Sequence, residues 1–188
     1  NLKYEGPVDP TLTGGFFNRF DYKGFSVSAL LTFAKGNFLR LQQTFSSTYD
    51  DMTAISKKFV NRWLLPGDEE ITTVPSILDR YALDNYKRLT TNTAQSASYP
   101  YNAYNYSTEN IAKGDFVRLK TVTLSYTLPK RMTDKWGMDF IQLSLVGNNI
   151  ALLYSDKRLL GADPEFFNNG GVALPIPKQY TFAIKIGL

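Results

Sequence analysis

The sequence of 188 residues contains neither cysteine nor histidine. Without them there is no Ser-His-Asp or Cys-His nucleophile, no zinc site of the usual nitrogen and sulfur type, and no disulfide framework. Net charge is modest: 21 Lys and Arg against 17 Asp and Glu leave a formal charge of +4, spread along the chain with no basic block. There is no glycine-rich phosphate loop, so nucleic acid binding has no support. No apolar run reaches the roughly 18 residues that a membrane helix requires. That says nothing of membrane strands, which need only about 10 residues each and announce themselves by alternation. The chain opens at Asn1 without an initiator Met or a signal peptide pattern, so a mature, cleaved or partial polypeptide is expected.

Paired carboxylates could still do acid/base or metal work. The acidic clusters, Asp50-Asp51 and Asp68-Glu69-Glu70, stand beside turn and cap signals and read as solvated loop charges. Asp163, Glu165 and Asn168 share a loop, but their spacing matches no calcium loop. The expectation is a protein that is not an enzyme and carries no metal and no cofactor.

Aromatic residues are what the sequence has in abundance, 12 Tyr and 13 Phe, in a chain that is 43% hydrophobic. Many fall in runs of strict alternation, about five in all, which predict an all-β protein. The expected strands cover residues 11–22, 25–34, 116–128, 139–148 and 179–188. In FSVSALLTF, Phe25, Val27, Ala29, Leu31 and Phe33 oppose Ser26, Ser28 and Thr32. In VRLKTVTLSYTLP, Val122, Leu124, Tyr126 and Leu128 oppose Thr121, Thr123, Ser125 and Thr127. Leu143 lies opposite Ser144 in the fourth run. In YTFAIKIGL, Tyr180, Phe182, Ile184 and Ile186 oppose Thr181, Ala183 and Lys185. One face of each strand is apolar and the other suits water.

The connections alternate strictly between short and long. A tight turn at Lys23-Gly24 and the polar segment KRMTDKWGMD are short, whereas about 80 residues separate the second and third runs and nearly 30 the fourth and fifth. In an up-and-down sheet this puts every long loop at one end, as in outer-membrane barrels. Within the first long loop, Asp50 or Asp51 can cap a helix with Met52, Ile55, Phe59 and Trp63 on one face, ended by Pro66-Gly67. A second helix is expected from Ser76 to Leu89. The stretch SYPYNAYNYS follows, and its Tyr99, Tyr101, Tyr104 and Tyr106 are candidate contacts for cargo or for a lid, against the plainer alternative of packing within the loop.

The phrases TGGFFNRFDYKGFSVSALLTFAKGN, RWLLPGDEE, GDFVRLKTVTLSYTLP and GNNIALLYSDKRLLGADPEFFNNGG, in this order and followed by a terminal strand, resemble the C-terminal end of SusC/RagA-type TonB-dependent outer-membrane transporters of Bacteroidetes. The resemblance spans nearly the whole chain. It implies the last strands of a large antiparallel transmembrane β-barrel, about 22 strands when complete, with extracellular loops at 36–113 and 150–178 that contain short helices. It further implies residence in the outer membrane of a Gram-negative bacterium, a plug domain and TonB-contacting segment outside these residues, and partnership with a SusD-like lipoprotein and the TonB complex. The implied cargo is an oligosaccharide commonly and an oligopeptide in some members. A terminal strand that closes the barrel and carries an assembly signal is also implied, although such strands usually end in an aromatic residue and this one ends in Leu188. A soluble β-sandwich module that binds carbohydrate is the alternative from another class.

For the barrel, Val27, Leu31, Val122, Leu124, Leu143, Ile184 and Ile186 are expected to face lipid, and Ser28, Thr123, Ser144 and Lys185 the lumen. Arg118 and Lys120 share the parity of Val122, so an unbroken strand points both outward at the outer rim, where long cations reach lipopolysaccharide phosphates. The competing reading is a bulge at Thr121 that turns both into the lumen.

Overall fold

The computed structural model describes residues 3–45, 56–89, 99–167 and 177–188. They fall into two compact units: Gly6–Leu39 with Ala112–Leu188, and Asn1–Glu5 with Arg40–Ile111. The strands are β1 (Leu12–Tyr22), β2 (Phe25–Lys35), β3 (Phe38–Arg40), β4 (Ile111–Lys113), β5 (Phe116–Thr127), β6 (Phe140–Ser155) and β7 (Gln179–Gly187). Five of them form one antiparallel sheet in the order β1-β2-β5-β6-β7, and β3 pairs with β4.

Neighbours in the large sheet follow one another along the chain, with the first long connection inserted between β2 and β5. The β1–β2 turn holds Lys23 at φ 45° and Gly24 at φ 86°. Positive φ at both central residues is the geometry whose twist matches the flanking strands. A side chain at Gly24 would meet the Thr127 carbonyl oxygen at 2.7 Å, a backbone atom that cannot step aside. The chain turns there because glycine is present.

Residues directly opposite in an antiparallel pair share a face. The register therefore sorts every strand. Phe20, Val27, Leu124, Leu145 and Phe182 form one row, and Arg19, Ser28, Thr123 and Val146 form the next row on the opposite face. The first face is apolar from β1 to β7, broken only at Asn18 and Lys35, and it is uncovered: Phe16 is 58% exposed, Phe182 62% and Ile184 56%. A β-sandwich would bury this face against a second sheet, so the sandwich alternative does not describe this fold. No helix among the described residues is long and apolar enough to cross a membrane, which leaves strands as the elements that could.

Strand β6 runs to Ser155, seven residues past the end that alternation suggested. The pattern is interrupted, not the strand. Thr121 lies opposite Asn148 and Leu119 opposite Ala151, so Lys120 is an extra residue in β5, and Asn149 and Ile150 are extra in β6. Asn149 takes φ 53°, a conformation that Asn tolerates better than most residues. Against β2 the same step appears, with Leu30 opposite Thr121 and Leu31 opposite Leu119. The single extra residue in β5 reverses the parity of what lies beyond it, whereas the two in β6 leave the parity unchanged.

The second unit is built around Phe45, which is 2% exposed. Tyr101 stacks on its ring at 5.2 Å, while Tyr104 and Phe59 meet it edge-on at 5.5 and 5.8 Å. Helix α1 (Arg80–Leu89) starts where Asp79 accepts from the Ala82 amide at 2.7 Å. The helix expected over residues 51–65 is, where described, a single 3₁₀ turn, Lys57–Asn61, capped by the Ser56 side chain. The caps Asp50 and Asp51 and the stripe residues Met52 and Ile55 lie outside the described residues. The tyrosine-rich stretch of the long loop, for which no secondary structure was expected, forms helix α2 (Tyr99–Asn105), whose spacing sets Tyr101 and Tyr104 on one side. Here packing onto Phe45 outweighs the weak helix propensity of Tyr, Asn and Pro.

Truncating Phe45 to Ala removes the ring that three others pack on, a change that costs about 3–5 kcal/mol in a core. The expected outcome is protease sensitivity and fast amide exchange confined to residues 40–111, with protection of β5 and β6 unchanged.

Candidate functional site

The sheet presents two surfaces, and the chemistry lies on the polar one. Ser28 and Thr123 are register partners on it, Ser144 stands opposite Ala183, and Lys185 opposite Gln142. Lys185 extends along the sheet with Nζ 5.7 Å from the Phe140 ring centre. Arg19 and Asp21 pair across an exposed edge of this face at 2.9 Å. Val27, Leu31, Val122, Leu124, Leu143, Ile184 and Ile186 all lie on the other, apolar surface.

Toward the end from which the long connections leave, the polar face carries a cluster around Arg118. Its position is the correction that the structure makes to an unbroken reading of β5. The extra residue Lys120 turns Arg118 onto the polar face, opposite Thr32 and Leu152, where it is 3% exposed and cannot be an outer-rim cation. Nη2 donates to Asp163 Oδ2 at 2.6 Å, and Nη1 donates to Asn149 Oδ1 at 2.6 Å. Nε lies 2.7 Å from Glu165 Oε2 without aiming its N–H at that oxygen. Lys120, half-buried, brings Nζ to 3.9 Å from Glu165 Oε1 and so joins the same cluster.

Each partner is fixed by its own local structure. Asn149 is held by the bulge in β6, beside Asn148, whose Oδ1 accepts from Thr121 Oγ1 at 3.0 Å. Asp163 caps the 3₁₀ turn Pro164–Phe166 by accepting from the Glu165 amide at 3.1 Å, with proline at the first turn where no amide is needed. FVRLK, GNN and ADPE therefore meet at one guanidinium, although they lie far apart in the chain. No group of three or more potential ligands for a metal occurs among the described residues.

A second set of contacts fastens the points where strands give way to long connections. The Gly36 amide donates to Asp115 Oδ1 at 2.7 Å, and the Gly114 amide to the Asn37 carbonyl at 2.9 Å. Asp156 accepts from the amides of Lys113 and Arg158, each at 2.9 Å. Burial alone would raise the Asp156 carboxyl, but those two amides, with the charges of Arg158 and Lys113, hold it below the usual carboxylate range.

The candidate cargo tyrosines separate. Tyr101 and Tyr104 are turned onto Phe45, and the Tyr101 hydroxyl accepts from the Leu78 amide at 2.8 Å, so loop packing employs both. Burial, then the nearby Glu109 charge, pushes the Tyr104 hydroxyl up. The Tyr99 side chain lies outside the described residues. Tyr106 stays 61% exposed, with Arg40 over its ring at 5.5 Å and Gln43 Nε2 donating to its hydroxyl at 3.3 Å. Asn105 is buried and holds the backbone at Thr44 and Phe45. In the acidic cluster, Asp68 accepts from the Leu64 and Leu65 amides at 3.0 and 2.9 Å and shapes its own turn.

No family model matches the chain. It is 26% identical over 175 residues to TonB-dependent receptor P39 of Formosa agariphila, across 86% of this chain and 14% of that receptor. It is 26% identical over 193 residues to TonB-dependent receptor P26 of the same organism, across 94% of this chain and 17% of the receptor. Among solved structures it superposes on the RagAB peptide transporter with a TM-score of 0.67 at 22% identity, over 100% of this chain and 18% of that one. The RagAB peptide importer in its open-open state gives 0.64 at 22% identity, over 99% and 18%. The chain thus spans less than a fifth of the length of the curated relatives it matches. The likeness to TonB-dependent receptors is thus one of sequence, the likeness to the RagAB transporter is one of fold, and the open antiparallel sheet matches a fragment of such a barrel.

Removing Arg118 strands the Asp163 carboxylate, which is itself almost buried. Loss of one partner of a buried pair costs about 3–5 kcal/mol, so Arg118→Ala should lower the unfolding temperature of the barrel far more than Lys120→Ala, by differential scanning calorimetry. At the loop clamp, a depressed carboxyl stabilises above its unfolded value and loses that contribution as pH falls through its folded one. Amide exchange at Lys113, corrected for intrinsic rate, should accelerate on acidification, and Asp156→Asn should abolish that dependence.

Proposed function

We propose that this chain forms part of the wall and outer loops of a TonB-dependent importer of oligomeric nutrients in a bacterial outer membrane. The carrying observation is the sorting of side chains: one continuous, uncovered apolar face from β1 to β7, and an opposite face that is mainly polar, with Phe17, Leu30, Val146 and Leu152 among its residues, and has a charged end. In water such a surface would aggregate, whereas in a bilayer it lies against lipid while the polar face lines an aqueous interior. Val27, Leu31, Val122, Leu124, Leu143, Ile184 and Ile186 then face lipid, and Ser28, Thr123, Ser144, Lys185 and the Arg118 cluster face the lumen. The long connections lie outside the cell and the short ones in the periplasm.

The relatives are receptors and transporters by name, in keeping with a role other than catalysis. The whole receptor, on this reading, works with a SusD-like surface lipoprotein and draws on the TonB complex through a part of the polypeptide outside these residues. Oligosaccharide and oligopeptide are the two cargo classes to test. With Tyr101 and Tyr104 used in packing, the argument for sugar stacking rests, among the described side chains, on Tyr106, and the neighbours named as peptide transporters put oligopeptides first in the trial.

Adjacent positions on β7 test the reading. A Lys facing lipid at mid-bilayer costs about 2–4 kcal/mol, and one facing water costs little. Ile184→Lys should therefore cut the amount of heat-resistant barrel recovered from the outer membrane severely, while Lys185→Ile leaves it near the parent level. Equal effects from the two would count against a membrane wall.

A further inference from the structure

On β1, β2 and β5 the apolar face ends, toward the short connections, in a row of aromatic rings, while on β6 and β7 it runs on to Ile141 and Ile186. Tyr22, Phe25 and Tyr126 are register partners, and the Phe25 and Tyr126 rings lie 4.3 Å apart. Just beyond this row, both short connections present cations. Lys23 in the first sets Nζ 5.2 Å from the Tyr22 ring centre. The second, residues 128–139, exposes Lys130, Arg131 and Lys135 against Asp134 and Asp139.

This second connection is folded. It comprises helix α3 (Lys130–Thr133) and the 3₁₀ turn Asp134–Trp136. Thr133 is fully buried and its Oγ1 donates to the Lys130 carbonyl at 3.2 Å. The Leu128 amide donates to Ile141 at 2.9 Å, Met138 to Thr133 at 3.1 Å, and Asp139 to Gly187 at 2.9 Å. Hydrogen bonds thus fix the backbone, yet Met132 is 46% exposed and Trp136 55%. A flexible polar linker would join the strands equally well. Leaving a Trp and a Met exposed costs free energy in water and gains it at a bilayer interface, where an indole lies among headgroups and cations meet phosphates.

We propose that the short connections form a lipid-binding foot: Trp136 and Met132 enter the interface of the inner, phospholipid leaflet, and Lys23, Lys130, Arg131 and Lys135 sit at its phosphates. The occupant follows from charge and from continuity. The cations complement phosphate, and the foot begins within a few residues of the aromatic row that closes the apolar face on β1, β2 and β5. This rests on the membrane-wall reading above, and the test separates the two.

The experiment uses the whole receptor in vesicles of phosphatidylethanolamine and phosphatidylglycerol. A fluorophore is attached at Trp136→Cys, at Met132→Cys, or at Ile184→Cys as the wall control. Nitroxides at the headgroup should quench positions 136 and 132 about threefold more than nitroxides at the chain end, with the reverse order at 184. In the Trp136→Cys background, replacing Lys130, Arg131 and Lys135 by Gln should reduce headgroup quenching about twofold or more. Quenching of 136 and 132 by water-soluble agents alone, with 184 still quenched by lipid, would overturn the foot and leave the wall standing. It would place the connection in water or against a periplasmic protein. Absence of lipid quenching at all three positions would remove the wall, and the foot with it.

Discussion

A chain that crosses lipid must satisfy each backbone N–H and C=O without water, and a sheet does this only by pairing strand to strand. The pairing then dictates the side chains. Successive residues point to opposite faces, so a wall between lipid and water is written as apolar and polar residues in strict alternation. On the membrane-wall reading, everything in the larger unit depends on that constraint. Leu124, Val27 and Leu145 form one row because they are register partners, and Thr123 and Ser28 form the next for the same reason.

The constraint also explains the phrases that gave the resemblance. Three of them fasten the sheet where alternation stops. Gly36 with Asp115, Asn37 with Gly114, and Asp156 with Lys113 tie strand ends to one another before the long connections leave. The GNN and ADPE segments deliver Asn149, Asp163 and Glu165 to Arg118. A buried guanidinium would be costly alone, but here its partners belong to elements that are themselves capped or bulged in place. The loops can vary between such anchors without disturbing the wall.

Legibility in the sequence followed the same physics. The strands, their faces and the short turn at Lys23-Gly24 could be read because alternation and turn chemistry are local signals. Arg118 was misplaced in an unbroken strand because a bulge depends on the partner strand: Lys120 is extra only in relation to Leu30 and Leu31 on one side and to Asn148 and Ala151 on the other. One signal was available. Two cations in apolar parity are more cheaply explained by a reversal of parity than by lipid exposure. The tyrosine stretch was opaque for a different reason, since helix α2 forms by packing Tyr101 and Tyr104 onto Phe45, far away in sequence.

The parity reversal at Lys120 is also where the account is most exposed to measurement. Single cysteines placed from Val117 to Tyr126, in the receptor assembled in the outer membrane, can be challenged with a membrane-impermeant maleimide small enough to enter the lumen. The account predicts labelling at 121, 123 and 125, protection at 122, 124 and 126, and then a phase change, with 117 and 119 protected and 118 on the lumen side. Unbroken alternation that groups 118 and 120 with 122, or uniform labelling of all ten positions, would contradict it.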